Sequence, residues 1–507
     1  MEAYRKIPSM NVPNFVFGKV DDCGAGIYRQ IVEETKREDY EKYLKDLEMN
    51  GFERISGVEF VSGKHPYVNA TYKKGDLIAC VTYSEFWHRT YITSQPDIFR
   101  MPWTAEELFE TVPECDAKQA KDYGAGNYVI ERKESKADYF AYLKEIKEAG
   151  FTKYVDNGEG LNGTVFNNIY TKDNLVLTIT HIETKGITYI SACYDLPLSK
   201  YLFFDENTVK ENKDEAKTEL HMTEMWLSGN SFIIKLKNGH FLINDGGTDH
   251  ELRYLIDYLE SMTARNQKPI VDGWFISHAH RDHTGVLRVM VEEDQRLADR
   301  IVVNGIYFNE PNDDVLNLDS GTRGDVAMVR QVTEYLKTET GEQTKIYRPQ
   351  TGQRYYFNDI TVDVVLGQEQ LPIEQYSGDI NDSSTWLMFT IEGQKCLIGG
   401  DGEIGGMRAI MDIYDREYMK LDMFSVLHHT INTWDEFTDY CTVKTVLGTK
   451  RGEPAHNRAA NEHLKEVTKE WLRTDDGTRV LVFPYEVGSS KCLPHFEWIY
   501  HKDRVRP

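Results

Sequence analysis

The chain has 507 residues, 40% of them hydrophobic and 12% aromatic, and carries a formal net charge of −23. That length exceeds one ordinary core and calls for about two to four domains, while the apolar content excludes a disordered chain. The negative field excludes general binding to nucleic acid or to anionic lipid. No basic segment leading into an apolar stretch opens the sequence, and no apolar run approaches membrane-spanning length, so a cytoplasmic protein with no membrane anchor is expected. The seven cysteines form no CxxC pair, which fits reduced thiols packed as small hydrophobes.

The first half contains an internal repeat. DDCGAGIY at Asp21 to Tyr28 returns as KDYGAGNY at Lys121 to Tyr128, and DYEKYLKDLEMNGF (39–52) returns as DYFAYLKEIKEAGF (138–151). Tyr40, Tyr43, Leu44 and Leu47 in one copy, and Tyr139, Tyr142, Leu143 and Ile146 in the other, make the apolar stripe of an amphipathic helix. Gly51 and Gly150 stand where a helix end favours a left-handed residue. The runs that follow have strand character, so each copy is expected to be a small α+β unit, over 1–105 and 106–204. Turns explain the GAG motifs without a ligand. The expected role of the pair is packing, covering a site, or self-association into a homo-oligomer. The charged stretch DENTVKENKDEAKTE (205–219) has no apolar face and is the expected linker to the remainder, 220–507.

In that remainder GNSFIIKLKNGHFLINDGG is expected to form two strands joined at an Asn-Gly turn. A helix is expected over ELRYLIDYLESM, a buried strand over VDGWFIS, and a second helix over TGVLRVMVEE. Between the last two lies HAHRDH, at a strand's C-terminal end, where α/β folds place their chemistry. Residues two apart in an extended segment face the same way, so His278 and His280 can converge on one ion. Asp282 and His283 enter the helix and diverge enough to serve a second. Imidazole and carboxylate ligands suit zinc and neighbouring divalent metals. Further on, Asp401 in KCLIGGDGE and the pair His428 and His429 in FSVLHHT each follow an apolar strand.

HAHRDH is an HxHxDH motif, and from about Gly229 onward the sequence resembles the metallo-β-lactamase superfamily. The resemblance implies an αββα sandwich, so the whole chain is expected to be α+β. It implies that Asp245, in FLINDGG, orients the metal-binding loop without touching metal. Asp401 becomes the carboxylate bridging two ions. The alignment favours His429 as the last ligand and leaves His428 facing substrate. The histidine pair and NDSSTWLMF (381–389) resemble most the subgroup of the DNA-uptake competence channel's hydrolase domain and the phosphorylcholine esterases. Thr430 departs from that pattern, in which glycine follows the pair. No histidine lies between His283 and His428, the interval from which many members take a further ligand. The first site would then rest on His278, His280 and Asp401, with water or Asp382 filling the gap. Asp382, Ser383 and Ser384 are substrate-side candidates, with an ordinary turn as their other reading.

The resemblance implies two zinc ions, with manganese or iron as other candidates, that activate water against an ester or phosphoester of a small molecule. Asp282 would bind the second ion and orient the water, and His428 would protonate the leaving group. Two alternatives are an iron-binding redox or sulfur-oxygenating protein of the same fold and a metal-bound interaction module. In the tail, NRAANEHLKEVTKEWL is expected to be helical and TRVLVFPYEVGSS a strand running into a turn. Tyr485 is expected to be an ordinary strand-end aromatic, and His456 and His463 to face solvent.

Overall fold

The computed structural model describes residues 10–13, 15, 19–57, 59–60, 67–97, 101–203, 209, 215–225, 229–319, 322–371, 376, 379–430, 434–449, 462–474 and 477–493. Helices combine with four sheets, most of whose strand pairs are antiparallel, so the chain is α+β. Among the described residues no helix is long and apolar enough to cross a membrane, and none of the seven cysteines is in a disulfide.

Two N-terminal sheets share one strand order. The first runs Val20–Gly24, Ile27–Val32, Arg89–Pro96, Leu77–Ser84, Tyr67–Lys74, Glu53–Ser56, and the second runs Lys121–Asp122, Tyr128–Lys133, Ile187–Tyr194, Leu175–Ile182, Val165–Lys172, Thr152–Leu161. Each carries one helix, Arg37–Met49 or Lys136–Glu148, which buries the tyrosine-rich stripe read from the sequence. Ser135 starts the second helix, accepting from Asp138 N–H while the Asp138 carboxylate accepts from Ser135 N–H. Gly51 and Gly150 follow the helix ends with φ of +79° and +90°, conformations that a side chain would strain.

The remaining residues form a nine-stranded and a seven-stranded sheet. The nine-stranded one runs Ile346–Tyr347, Ile306–Phe308, Ile270–Ile276, Phe241–Asn244, Phe232–Lys235, Glu219–Met222, Thr478–Val482, Lys491–Leu493, with Val302–Val303 beside Ile270–Ile276. The other runs Arg354–Phe357, Ile360–Leu366, Trp386–Ile391, Gln394–Ile398, Met423–Ser425, Thr445–Gly448, Glu470–Arg473. One buried cluster draws Phe232, Leu242 and Phe275 from the first of these sheets and Val362, Phe389 and Ile398 from the second. Another joins their other side chains to helices, Ile243 and Trp274 with Leu255 and Val286, and Leu397 and Phe424 with Ile410 and Phe437.

The sequence expectations meet two differences here. Glu219 begins a strand instead of ending a linker, because its register opposite Lys235 completes a hairpin ladder. Among the described residues the tail helix is Glu462–Val467 and does not reach the end of the expected one; Trp471 and Leu472 lie in a strand, paired in parallel with Val446 and Leu447, since a sheet edge outweighs helix propensity there. Residues 457–461 and His456 lie outside the described residues, as does most of 205–214. Tyr485 sits in the inter-sheet cluster, its hydroxyl donating to Glu470, and His463 meets Asp439 at 2.6 Å near the surface.

Both N-terminal sheets dock on the other two by the same pair of positions. Asn69 and Thr82, opposite each other in the first, donate to the carbonyls of Asp314 and Asn317. Asn167 and Thr180, opposite each other in the second, both donate to the carbonyl of Thr351. Close approaches reinforce this: a Cβ on Gly324 would lie 2.0 Å from the Cys23 carbonyl oxygen, and one on Gly124 2.7 Å from that of Glu310. Gly324 lies inside the helix Thr322–Val332, where alanine would otherwise gain about 1 kcal/mol of helix propensity. Overpacking against backbone costs about 1–3 kcal/mol, and at 2.0 Å the clash is expected to win. Gly324→Ala should loosen the first sheet, read as faster proteolysis within 20–97 while the rest of the chain stays intact.

Candidate metal centre

The strand Ile270–Ile276 ends at Ser277, and the next turn runs straight into the helix Arg281–Glu292, with Asp282 and His283 in its first turn. This local geometry is held by Asp245, which follows the neighbouring strand with φ of +59° and is fully buried. Its Oδ1 accepts from Ser277 N (2.8 Å), and its Oδ2 accepts from Ser277 Oγ (3.0 Å) and His283 Nδ1 (2.9 Å). Asn230 N–H donates to the Asp282 carbonyl and Gly246 N–H to that of His283, pinning the start of the helix.

Two groups of donors result. Ligand atoms of His278, His283 and Asp401 lie within 4.8 Å of one another, and so do those of Asp282, His283 and His429. His283 is common to both. Asp401 comes from the loop after Gln394–Ile398, and His429 from the loop after Met423–Ser425. His429 Nε2 lies 3.1 Å from Asp282 Oδ2 and 3.2 Å from Asp401 Oδ2, while His283 Nε2 lies 3.2 Å from Asp401 Oδ1.

His280 stands beside the groups, its Nδ1 2.9 Å from His278 Nε2. The expected grouping of His280 with His278 and Asp401 differs from the tight trio, in which His283 takes its place. His280 stands at the edge of that trio with only Nδ1 facing His278, while its Nε2 faces outward, 3.5 Å from Asp319 and 3.6 Å from Asp379. His428 is partly exposed, with Nδ1 2.9 Å from Glu403 Oε1 and Nε2 4.0 Å from Asp401 Oδ2. Asp382, Ser383 and Ser384 are buried in the short turn before Trp386–Ile391 and belong to neither group; Ser383 Oγ donates to the Ile380 carbonyl.

Glu403, Ser277, Asp319 and Asp379 were not foreseen. The first two flank motifs, standing two residues after Asp401 and one before HAHRDH. The last two lie 39 and 99 positions beyond His280, too far for any sequence spacing to connect them.

The donor set suits a divalent cation. The buried His283 Nε2 and His429 Nε2 each approach the Asp401 carboxylate at 3.2 Å without hydrogen-bond geometry, and a cation between them would satisfy these atoms better. Burial lowers His278, with the neighbouring His283 and His280 lowering it further, so this imidazole is neutral. For His283, burial is outweighed by the carboxylates of Asp401 and Asp245, which raise it well above the ordinary value. Asp401 and Asp282 are held below the usual carboxylate range, burial being outweighed by His429 and His283. Burial likewise fails to hold down His429, raised to about 9 by Asp401 and Asp282, and His280, raised to about 9 by Asp319 and Asp379. Protons thus occupy the positions in which a cation's charge would serve the same carboxylates.

No family model matches this chain, and no curated protein matches its sequence. Among solved structures, similar chains include a metallo-β-lactamase with a HARLDQ motif from Cronobacter sakazakii (Enterobacter sakazakii) and Zn(2+)-bound PqqB from Methylobacterium extorquens, both metallo-β-lactamase-fold proteins. The first is 14% identical, over 38% of this chain and 70% of its own, with a TM-score of 0.23. The second is 11% identical, over 49% of this chain and 86% of its own, with a TM-score of 0.32.

Two outcomes are expected from this geometry. Asp245→Ala leaves two donors of Ser277, one of His283 and the Asn244 amide without their acceptor, at about 1–3 kcal/mol each, so denaturant unfolding should show a loss of at least about 4 kcal/mol. Metal must displace the protons on His280 and His429, so apparent zinc affinity should rise as pH goes from 6 towards 9. Calorimetry in buffers of different ionisation enthalpy counts the protons released; an affinity flat across that range would contradict the protonated histidines.

Proposed function

We propose that the chain is a metal-dependent hydrolase of the metallo-β-lactamase fold, acting through two divalent ions on an ester or phosphoester of a small molecule. The observation that carries this reading is the pair of buried donor groups sharing His283, built from loops at strand ends of two different sheets. Zinc is the expected metal, since every donor is imidazole nitrogen or carboxylate oxygen. The shared cluster between the two large sheets, with helices against their other sides, supports the αββα reading of 220–507. The shared strand order supports two copies of one α+β unit over 1–105 and 106–204, joined to the rest through 205–219.

His278, His280 and Asp401 would hold the first ion and Asp282, His283 and His429 the second, with Asp401 between them. Such a pair supplies a water of lowered pKa and positive charge beside the attacked oxygen. The residues divide by exposure. His278, His283, Asp401 and His429 are buried and hold fixed positions, whereas the Asp282 and His428 side chains are 27% and 23% exposed. Asp282 is therefore the carboxylate available to orient an attacking water and take its proton. His428, steadied through Nδ1 by Glu403 and partly exposed, can bind an anionic oxygen or give a proton to a leaving group. Ser277 and Asp245 fix which nitrogen of His278 and of His283 faces inward.

The first test is elemental analysis of the purified protein and of Asp401→Ala. About two zinc or manganese ions per chain, falling sharply in the variant, support the reading, and a screen of phosphodiesters and esters then narrows the substrate. Iron at comparable occupancy replaces it with redox chemistry, and a protein that takes up no added metal ends it.

A further inference from the structure

His280 differs from the other candidate ligands in what holds it. His278 is buried, with Nδ1 3.0 Å from Ser277 Oγ, and His283 is buried, with Nδ1 on Asp245. The His280 side chain is 21% exposed and stands at the edge of the cluster, and the groups facing its Nε2 are Asp319 at 3.5 Å and Asp379 at 3.6 Å. Asp379 has its own anchor, its Oδ1 accepting from Asn381 N–H as the cap of a short turn. Asp319 lies between the helices Asp313–Leu316 and Thr322–Val332, and its Oδ1 is 3.8 Å from Nη1 of Arg29. Arg29 belongs to the first N-terminal sheet, on the strand Ile27–Val32, and the sheet is pressed onto the second of these helices through Cys23 and Gly324.

An imidazole presents a lone pair at one nitrogen when the proton is held at the other. Carboxylates facing Nε2 favour the proton there, leaving Nδ1 as the donor that faces the same space as His278 Nε2, and they strengthen that donor. A partly exposed ring without such partners would sample other rotamers, and each metal-binding event would have to reorder it.

We propose that the first N-terminal sheet is a working part of the metal centre: Arg29 positions Asp319, and Asp319 together with Asp379 aims His280 at the first ion. This rests on the two-ion reading above. None of the three side chains binds metal in this scheme; they are positioning residues, and the sheet that supplies Arg29 is tied to the chemistry through two contacts.

The test is a competition titration of the full-length, chelator-stripped protein with Zn2+ against a chromophoric chelator, repeated with Co2+ to follow the visible spectrum. In Asp319→Ala/Asp379→Ala one of the two binding events should weaken by about 10–100-fold, with the other unchanged and the cobalt bands altered. The melting temperature of the metal-free protein should fall by no more than about 4 °C, the effect of losing the Asp379 turn cap. Arg29→Glu should weaken the same event less, by about 2–5-fold, as suits a partly exposed ion pair, and Arg29→Lys should restore it. Wild-type affinity for both ions in the double variant overturns the proposal, as does loss of both events together with a larger fall in metal-free stability. A wild-type protein that binds neither ion instead overturns the two-ion reading on which it rests.

Discussion

The site depends on one buried carboxylate. Asp245 has no access to solvent, and its two oxygens accept from Ser277 N–H, Ser277 Oγ, His283 Nδ1 and the Asn244 amide. Its own backbone is left-handed, which costs a non-glycine residue about 1–3 kcal/mol. Four donors to one charged group, at about 1.5–3 kcal/mol each, outweigh that strain. The consequence is geometric: the ends of two adjacent parallel strands are locked together, and His278 and His283 leave them with one nitrogen committed to the protein and the other turned inward.

The opposing loops are pressed against this frame and accept distortion to reach it. Gly400 has φ of +55°, and a Cβ there would stand 2.5 Å from that of Ser277. His428 and His429 are both left-handed, at φ of +49° and +51°. Two consecutive bulky residues in that region are costly and persist where the surroundings enforce them. The effect is that His429 dips into the buried groups while its neighbour stays partly exposed.

Much of this was legible because it is local. The helix stripes, the Asn-Gly hairpin, the buried strand before HAHRDH and the acidic and histidine residues closing later strands are all patterns within a few positions. The tail pattern suggests one helix because EWL has adequate helix propensity, while the ladder with Val446 and Leu447 that makes it a strand is a tertiary contact. The same limit hid Asp319, Asp379 and the docking residues. Nothing in the neighbourhood of His280 points to carboxylates so far along the chain. Glu403 was nearer to hand, two residues after Asp401, but its meeting with His428 exists only once two loops fold over each other.

The two N-terminal sheets share one strand order and grip the rest of the chain alike, yet differ beside the grip. Asn69 and Thr82 occupy the same places in the first sheet as Asn167 and Thr180 do in the second, and each pair donates to main-chain carbonyls across the interface. Main-chain acceptors are present on any surface, so one gripping pair can serve on two unrelated surfaces without requiring matched side chains there. What differs lies around the grip. The first sheet adds Arg29 near Asp319, whereas in the second Arg348 donates to the carbonyls of Tyr123 and Gly124. Contacts this generic leave the residues beside them free to differ, and beside the first sheet's pair Arg29 reaches Asp319, which faces His280.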